Sequence, residues 1–274
     1  MQRKIEFSTL FYVLFMETPI EELNAAALVS PEAQIFKGMI DAGVFYGRKK
    51  SKTNPKVKSF IYSNRGGVEI IDLAKTLEGM NEAVEFLKRK VGGGGTVLLV
   101  GTQPSAANVL KIATELDLPV VARRWIGGTL TNFKTISKRI EYLKKLKSDM
   151  ASGALDKYTK KERLQMDREI KRLEHLIGGL VNLMREPDVL VVVDPVLHLS
   201  AVREARRLKI PIVAFGNTDS DPDFIDYLVV GNNAARKSVD WFLERVSGAI
   251  LEGKELALKT IAEKKVNGAE VGTQ

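Results

Sequence analysis

Residues 123–132 have the sequence RRWIGGTLTN and separate an apolar, strand-like run at 118–122 from a long charged helix pattern. Two adjacent arginines are not typical of a segment that crosses a core, because arginine is rarely buried. The glycine pair allows a sharp turn or a close backbone approach. Thr129 or Thr131 is predicted to cap the helix that follows. The stretch alone leaves two interpretations open, a helix entry with solvated arginines or a binding loop.

Short apolar runs alternate with helical patterns on both sides of this stretch. Strands are predicted at 68–73, 96–100, 118–122, 189–193, 210–215 and 226–230, with helices between most of them. Such alternation is typical of a parallel sheet that is covered on both faces by helices. The predicted fold class is therefore α/β.

Residues 133–180 interrupt this alternation with two charged helices that each carry one narrow apolar stripe. The predicted stripes are Ile136, Ile140, Leu143 and Met150 in the first helix, and Met166, Ile170, Leu173, Ile177 and Leu180 in the second. The second stripe has heptad spacing, and the TKKE sequence at 159–162 is a capping-box pattern that starts its helix. Two such helices with a short connection are predicted to pair as an antiparallel coiled-coil hairpin that protrudes from the α/β body.

The composition favours an anionic partner and excludes several kinds of site. The chain has 274 residues, a net charge of +8 and an isoelectric point near 9.4, which favours nucleic acid or a membrane surface, although an ordinary basic enzyme has the same charge. The absence of cysteine excludes disulfides, thiolate zinc sites and a cysteine nucleophile. With only two histidines, imidazole metal clusters are not expected.

The segment 42–68 contains no acidic residue but many cations, interleaved with Phe45, Tyr46, Phe60 and Tyr62. Pro55 and the glycines predict a loop. Because a segment of one charge sign repels itself, we expect phosphate groups to neutralise it, which favours RNA over a merely solvated loop. The four aromatic side chains are expected to anchor the segment to the core, with base stacking as the alternative.

The sequence does not favour three other kinds of site. The turn at 101–105 has the position of a nucleotide-binding loop but only one glycine, and no phosphate-loop sequence occurs, so a nucleotide-handling α/β enzyme is the alternative function. Asp219, Asp221, Asp223 and Asp226 could bind magnesium, but Asp221 or Asp223 as a helix cap, with Pro222 as the first helical residue, explains them more simply. Asp194 and His198 could form an acid–base pair, but no nucleophile motif accompanies them. No catalytic, cofactor-binding or metal-binding residue is therefore predicted.

Both ends of the chain differ from the middle. Residues 1–30 have no clear period, and their apolar run at 9–16 faintly resembles a signal peptide but is too short to cross a bilayer. We interpret them as an extension of a cytoplasmic protein. Residues 253–274 are low in apolar content and are predicted to form a C-terminal tail.

The sequence motifs together resemble the bacterial small-subunit ribosomal protein S-two family. The most specific matches are RWIGG at 124–128 with LTNF at 130–133, followed by TKKE at 159–162, and the similarity extends from about residue 40 to 246. Further matches are NPK at 54–56, IIDL at 70–73, VGT at 100–102, GG at 178–179, EA at 204–205, DP at 221–222 and GN at 231–232. Where the family usually has histidines after the first helix, this chain has Phe45 and Arg48, so any role of those histidines is absent here.

The resemblance implies a Rossmann-like or flavodoxin-like parallel sheet with helices on both faces and the inserted coiled-coil hairpin. It implies binding to small-subunit ribosomal RNA and to other small-subunit ribosomal proteins near the head–body junction. It implies no catalysis, no cofactor, no membrane contact and no homo-oligomer. The expected division is an extension at 1–30, a body at 31–132 and 181–252, the hairpin at 133–180 and the tail. The residues predicted to contact RNA are Arg48, Lys49, Lys50, Lys52, Lys56, Lys58, Arg65, Arg123, Arg124, Trp125, Asn132, Lys134 and Lys138.

Overall fold

The computed structural model describes residues 31–155 and 158–270, so the predictions for the N-terminal extension lie outside the described residues. It begins with helix α1 (Pro31–Asp41), which is followed by a small antiparallel sheet. The strands β1 (Tyr46–Lys49), β2 (Ile61–Arg65) and β3 (Val68–Ile71) lie in the order β1-β3-β2. This sheet corrects two predictions, because much of the segment 42–68 is strand or 3-10 helix instead of loop, and β3 does not belong to the parallel sheet.

The turn between β2 and β3 explains why the basic segment folds this way. Arg65 pairs with Val68 across Gly66 and Gly67, whose φ angles are 58° and 80°. Two consecutive residues with positive φ form the turn whose twist matches an antiparallel hairpin, and glycine adopts this conformation without steric cost.

The anchoring prediction holds for only part of the aromatic set. The Phe45 side chain is buried at 5% exposure, and Phe60 is half-buried. Tyr46 and Tyr62 are 49% and 45% exposed, so their side chains are only partly covered, and the Tyr46 ring lies against that of Phe45 with the centroids 4.2 Å apart.

The main sheet is parallel, as predicted, and contains five of the six predicted strands. They are β4 (Val97–Val100), β5 (Val120–Val121), β6 (Val189–Val193), β7 (Ile212–Gly216) and β8 (Tyr227–Val230), in the order β5-β4-β6-β7-β8. Alternate residues of each strand enter opposite hydrophobic clusters; Leu99 and Val191 lie in one, and Leu98 and Val192 in the other. Both faces are therefore buried, which is why the strands are continuously apolar.

Helices cover both faces of this sheet. On one face, α1 packs with α2 (Leu73–Gly92), α3 (Asn108–Glu115) and α7 (Arg236–Glu270), and α2 begins at Asp72, whose side chain accepts a hydrogen bond from the Ala74 N–H at 3.0 Å. Helix α7 continues to Glu270 instead of ending near residue 252, and Lys88 of α2 pairs with its Glu252 at 2.8 Å. Within the described residues, no helix combines the length and apolar character needed to cross a bilayer.

On the other face, the buried cluster contains residues of α4 (Phe133–Ala151), α5 (Lys160–Ile177) and α6 (Leu199–Arg207). The predicted capping box is present, with the Thr159 N–H donating to Glu162 Oε2 at 2.9 Å and the Glu162 N–H donating to Thr159 Oγ1 at 3.4 Å. The apolar stripe of α4 differs from the prediction at one position. Leu146, three residues after Leu143, is buried, whereas Met150, the residue before the last of α4, is 52% exposed.

Candidate nucleic-acid interface

The stretch 123–132 is held by a single carboxylate, that of Glu204 on α6. Glu204 Oε1 accepts hydrogen bonds from the Trp125 indole N–H at 2.9 Å and from the Gly128 N–H at 2.9 Å. Its Oε2 accepts from the Leu130 N–H at 3.0 Å, and from the N–H and the hydroxyl of Thr131, both at 3.2 Å. These five donors saturate an ionised carboxylate, which offers about four lone-pair sites.

The ionised form of Glu204 is the one that these contacts favour. Burial raises the pKa of this carboxyl, but the hydrogen bonds from Trp125, Gly128, Leu130 and Thr131 lower it by more, so the net pKa lies below the ordinary value of glutamate. The carboxylate therefore remains charged, and it ties the loop to α6 at neutral pH.

The threonines of this stretch do not cap α4 as predicted. The Thr129 hydroxyl donates to the Ile126 carbonyl at 2.6 Å, and Thr131 donates to Glu204. Asn132 occupies the N-cap position of α4 without a side-chain hydrogen bond to the helix backbone. The glycine prediction holds, since Gly128 has a φ of 87°, a conformation that an L-residue rarely adopts.

Arg123 and Arg124 are exposed at the carboxyl end of β5. Among the residues that the structure describes, neither guanidinium has an acidic partner within 4.0 Å. Trp125 is different, because its indole N–H is engaged by Glu204 and its half-buried ring packs against the second hydrophobic cluster.

The remaining predicted contacts of this region lie together at the start of α4. Asn132, Lys134 and Lys138 line one open hollow of about 540 Å³, which Glu141 and Glu186 also border. The two lysines are four residues apart and so lie on the same face of the helix. Both are exposed.

The basic segment after β1 presents its cations in two different ways. Lys49, Lys50, Lys52 and Lys58 are exposed, and within the described chain their side chains have no acidic partner. Lys56 is engaged instead, with its ammonium group hydrogen-bonded to Asp221 at 3.0 Å and to Asp223. Arg65 is exposed at the end of β2.

Arg48 points towards the carboxyl ends of the parallel strands. Its guanidinium donates to Asn233 Oδ1 at 3.0 Å and lies 3.3 Å from Asp219 Oδ2 and 4.0 Å from Asp194 Oδ2. Burial raises the pKa of Asp219; the charge of Arg48 opposes this rise, and the charge of Asp194 adds to it. Arg48 thus serves as the cation of a largely buried polar cluster that joins the small sheet to the large one.

The aspartates considered for magnesium are engaged within the protein. Asp221 caps the short 3-10 helix Pro222–Phe224, with the Asp223 N–H donating to its Oδ1 at 3.1 Å, as the capping interpretation predicts. Hydrogen bonds from the Asp223 N–H and from Lys56 lower the pKa of Asp221. Asp226 accepts from the Ile212 N–H at 2.9 Å. Within the described residues, no group of three or more acidic or histidine side chains is arranged to hold a metal ion.

Protein groups also occupy the turn that was considered for nucleotides. The side chains of Gln103 and Ser105 both donate to the Asn233 carbonyl at 2.9 Å. A Cβ on Gly101 would lie 2.9 Å from the Ala106 Cβ, so this glycine permits close packing of the following helix.

His198 and Asp194 form a structural pair. The His198 Nδ1 lies 2.9 Å from the Asp194 carbonyl oxygen, and its Nε2 lies 3.0 Å from the Thr102 hydroxyl. Because a carbonyl only accepts, Nδ1 carries the proton and Nε2 accepts from Thr102. This arrangement holds the ends of two strands together.

Sequence reasoning missed Glu204 and Asn233 as organisers of this surface. Both are far along the chain from the residues they bind; Glu204 is 79 residues from Trp125, and Asn233 is 185 residues from Arg48. No local pattern signals either residue, because a hydrogen-bonding partner from a distant element leaves no trace in the sequence around the loop.

Comparison with known proteins is consistent with this arrangement. The family model described as ribosomal protein S2 matches residues 39–253. The small ribosomal subunit protein uS2 of Thermus thermophilus is 40% identical over 219 residues, which cover 80% of this chain and 86% of the relative. The uS2 protein of Corynebacterium diphtheriae is 42% identical over 219 residues, covering 79% and 82%. The chain therefore belongs to the ribosomal protein S2 family, which consists of structural proteins of the small ribosomal subunit and not of enzymes.

Proposed function

We propose that this chain binds small-subunit ribosomal RNA and neighbouring small-subunit proteins near the junction of head and body, as a single copy and without a membrane. The observation that carries the proposal is a set of exposed cations that lack an acidic partner within the described chain. They are Lys49, Lys50, Lys52, Lys58, Arg123, Arg124, Lys134 and Lys138. Unpaired surface cations attract the phosphate backbone of RNA and release its counterions on binding.

The other predicted contacts have different parts in this proposal. Arg65 and Asn132 complete the RNA-facing set, since both are exposed beside unpaired cations. The other three residues stabilise the surface through contacts within the protein. Asp219 binds Arg48, Asp221 binds Lys56, and Glu204 binds Trp125. Contacts between exposed cations and phosphate groups position a protein on RNA without reading its base sequence.

We further propose that residues 133–180 form an antiparallel coiled-coil arm inserted in the body at 31–132 and 181–252, with residues 1–30 and 253–274 as terminal segments. The support is that Leu143 and Leu146 of α4 lie in the same buried cluster as Ile170 and Leu173 of α5. Lys147 and Glu174 form an ion pair between the two helices. The exposed Lys144, Lys145, Lys160 and Lys161 give the arm a second surface for RNA or a neighbouring protein.

The test is the salt dependence of binding to purified small-subunit ribosomal RNA. Arg123→Gln/Arg124→Gln removes two unpaired cations, and the slope of log affinity against log salt should become shallower by about 1.4 to 1.8, since each phosphate contact contributes about 0.7 to 0.9. The control is Lys111→Gln/Lys171→Gln, which removes the same charge from residues already paired with Glu115 and Asp167.

We expect the control to keep a slope close to that of the unaltered protein. Equal slopes for the two double variants would mean that the arginines make no phosphate contact. An unaltered protein that fails to bind the RNA at low salt would overturn the proposed function as a whole.

A further inference from the structure

The arginine pair lies between two fixed points of the chain. On one side, Val121 belongs to β5, and its carbonyl accepts a hydrogen bond from the Gly101 N–H at 3.1 Å. On the other side, the chain from Trp125 to Thr131 is held by Glu204. Only residues 122–124 bridge the two, so the position of the guanidinium groups depends on both anchors.

The one carboxylate bound to this loop does not neutralise the arginines. All five hydrogen bonds to Glu204 come from neutral donors, namely the Trp125 indole, the Thr131 hydroxyl and three backbone N–H groups. Because these donors use its acceptor capacity, Glu204 fixes the loop, and the charges of Arg123 and Arg124 stay available to a ligand.

We propose that Glu204 is a positioning residue that presents Arg123 and Arg124 as an ordered pair to neighbouring phosphate groups of RNA. The inference rests on the proposed RNA-binding function and extends it to a residue that does not contact the RNA. Ordering long side chains and a loop before binding lowers the entropic cost of association. When one carboxylate oxygen is replaced by an NH2 group, which cannot accept, the loop donors bound to that oxygen lose their acceptor, and the loop leaves the position that the two anchors define.

The decisive variant is Glu204→Gln, because positioning and simple electrostatics predict opposite signs. Removing a negative charge near a polyanion site should strengthen RNA binding if only the field of the protein matters. If Glu204 orders the arginine pair, the same substitution should weaken binding about fivefold. Glu115→Gln, which removes a charge from an exposed carboxylate on α3, is the matched control and should leave affinity unchanged or slightly raised.

A double-mutant cycle separates positioning from a general loss of structure. In the Arg123→Gln/Arg124→Gln background, Glu204→Gln should change the RNA affinity by less than about twofold, since the groups it positions are gone. Thermal unfolding and hydrogen exchange at the Leu130 N–H report separately whether the fold and the loop persist. If the glutamine variant does not fold, Glu204→Asp is the alternative. It keeps the charge but shortens the side chain by one methylene, which moves the carboxylate oxygens away from the loop, and we expect it to weaken RNA binding as well.

The outcomes distinguish this inference from the proposed function. Tighter binding by Glu204→Gln, or an equal loss of affinity with and without the two arginines, would overturn the positioning role while leaving RNA binding intact. A protein whose affinity does not respond to Arg123→Gln/Arg124→Gln would remove the arginine contacts on which the positioning role depends.

Discussion

At the scale of single residues, Arg48 shows how one side chain compensates for a largely buried polar cluster. Its guanidinium binds Asn233 and lies beside Asp219 and Asp194, whose side chains are only 21% and 11% exposed. Buried carboxylates are tolerated when a cation and hydrogen bonds compensate for their lost hydration. Arg48 supplies both in this chain.

We expect Arg48→Met to destabilise the protein by about 2–3 kcal/mol, because it leaves charged and polar groups buried without their partner. Lys49→Met, at an exposed neighbouring position, should stay within about 0.5 kcal/mol of the unaltered protein. Urea unfolding measures both. Equal stabilities for the two variants would show that Arg48 is not needed to balance the cluster.

At the scale of elements, the 3-10 helix Gly178–Leu180 packs directly on the edge strand β5. A Cβ on Gly179 would lie 2.2 Å from the Val120 carbonyl oxygen, a backbone atom that cannot rotate away. The neighbouring Gly178 has open space, with Glu174 Cβ as the nearest atom at 3.8 Å. The backbone at Gly179 therefore approaches β5 too closely for a side chain, whereas Gly178 has room for one.

Gly179→Ala should separate this element from β5 and cost about 1–3 kcal/mol, as overpacking does. Gly178→Ala, which has a helical backbone with φ of −57°, should be neutral or stabilise the protein by less than about 1 kcal/mol. Thermal unfolding of the two variants checks the contrast. If the Gly179→Ala protein is as stable as the Gly178→Ala protein, the backbone at residue 179 does not pack tightly against the Val120 carbonyl.

The elements also show what sequence patterns could predict. The strands of the parallel sheet were predictable, because burial on both faces demands continuous apolar runs such as VLVVV at 189–193. The small sheet was not, because β2 is mostly exposed and carries polar residues, and only Gly66-Gly67 marks its hairpin. The cation-rich surface was visible in the sequence, whereas Glu204 was not, since hydrogen-bonding partners from distant elements leave no local pattern.

At the scale of the whole molecule, a ribosomal protein works in the cytoplasm within the small subunit, and its folded state must persist there at neutral pH. Two carboxyls affect this stability in opposite directions. The pKa of Glu204 is lowered on folding, so its stabilisation is present above the ordinary value of 4.5 and is lost as the pH falls through the lowered pKa. The pKa of Asp219 is raised, so its contribution becomes more favourable as the pH falls.

We expect Glu204→Gln to be less stable than the unaltered protein by about 1–3 kcal/mol at pH 7, and the difference should shrink below pH 4.5. For Asp219→Asn, the stability of the unaltered protein relative to the variant should instead increase as the pH falls. Urea unfolding across pH 3–7 measures both. A gap between Glu204→Gln and the unaltered protein that is independent of pH would contradict the role of the charge.

The bond between Glu204 and its loop also sets an order of events during synthesis of the chain. Thr131 leaves the synthesising ribosome 73 residues before Glu204 does. At about 5–20 residues per second, the interval is roughly 4 to 15 seconds. During this time the arginine pair lacks its carboxylate anchor, so the loop cannot yet take the position that Glu204 gives it. The loop reaches its final position only after β6 and α6 have joined the sheet, so the proposed RNA contacts of the arginine pair are expected to form only in the nearly finished protein.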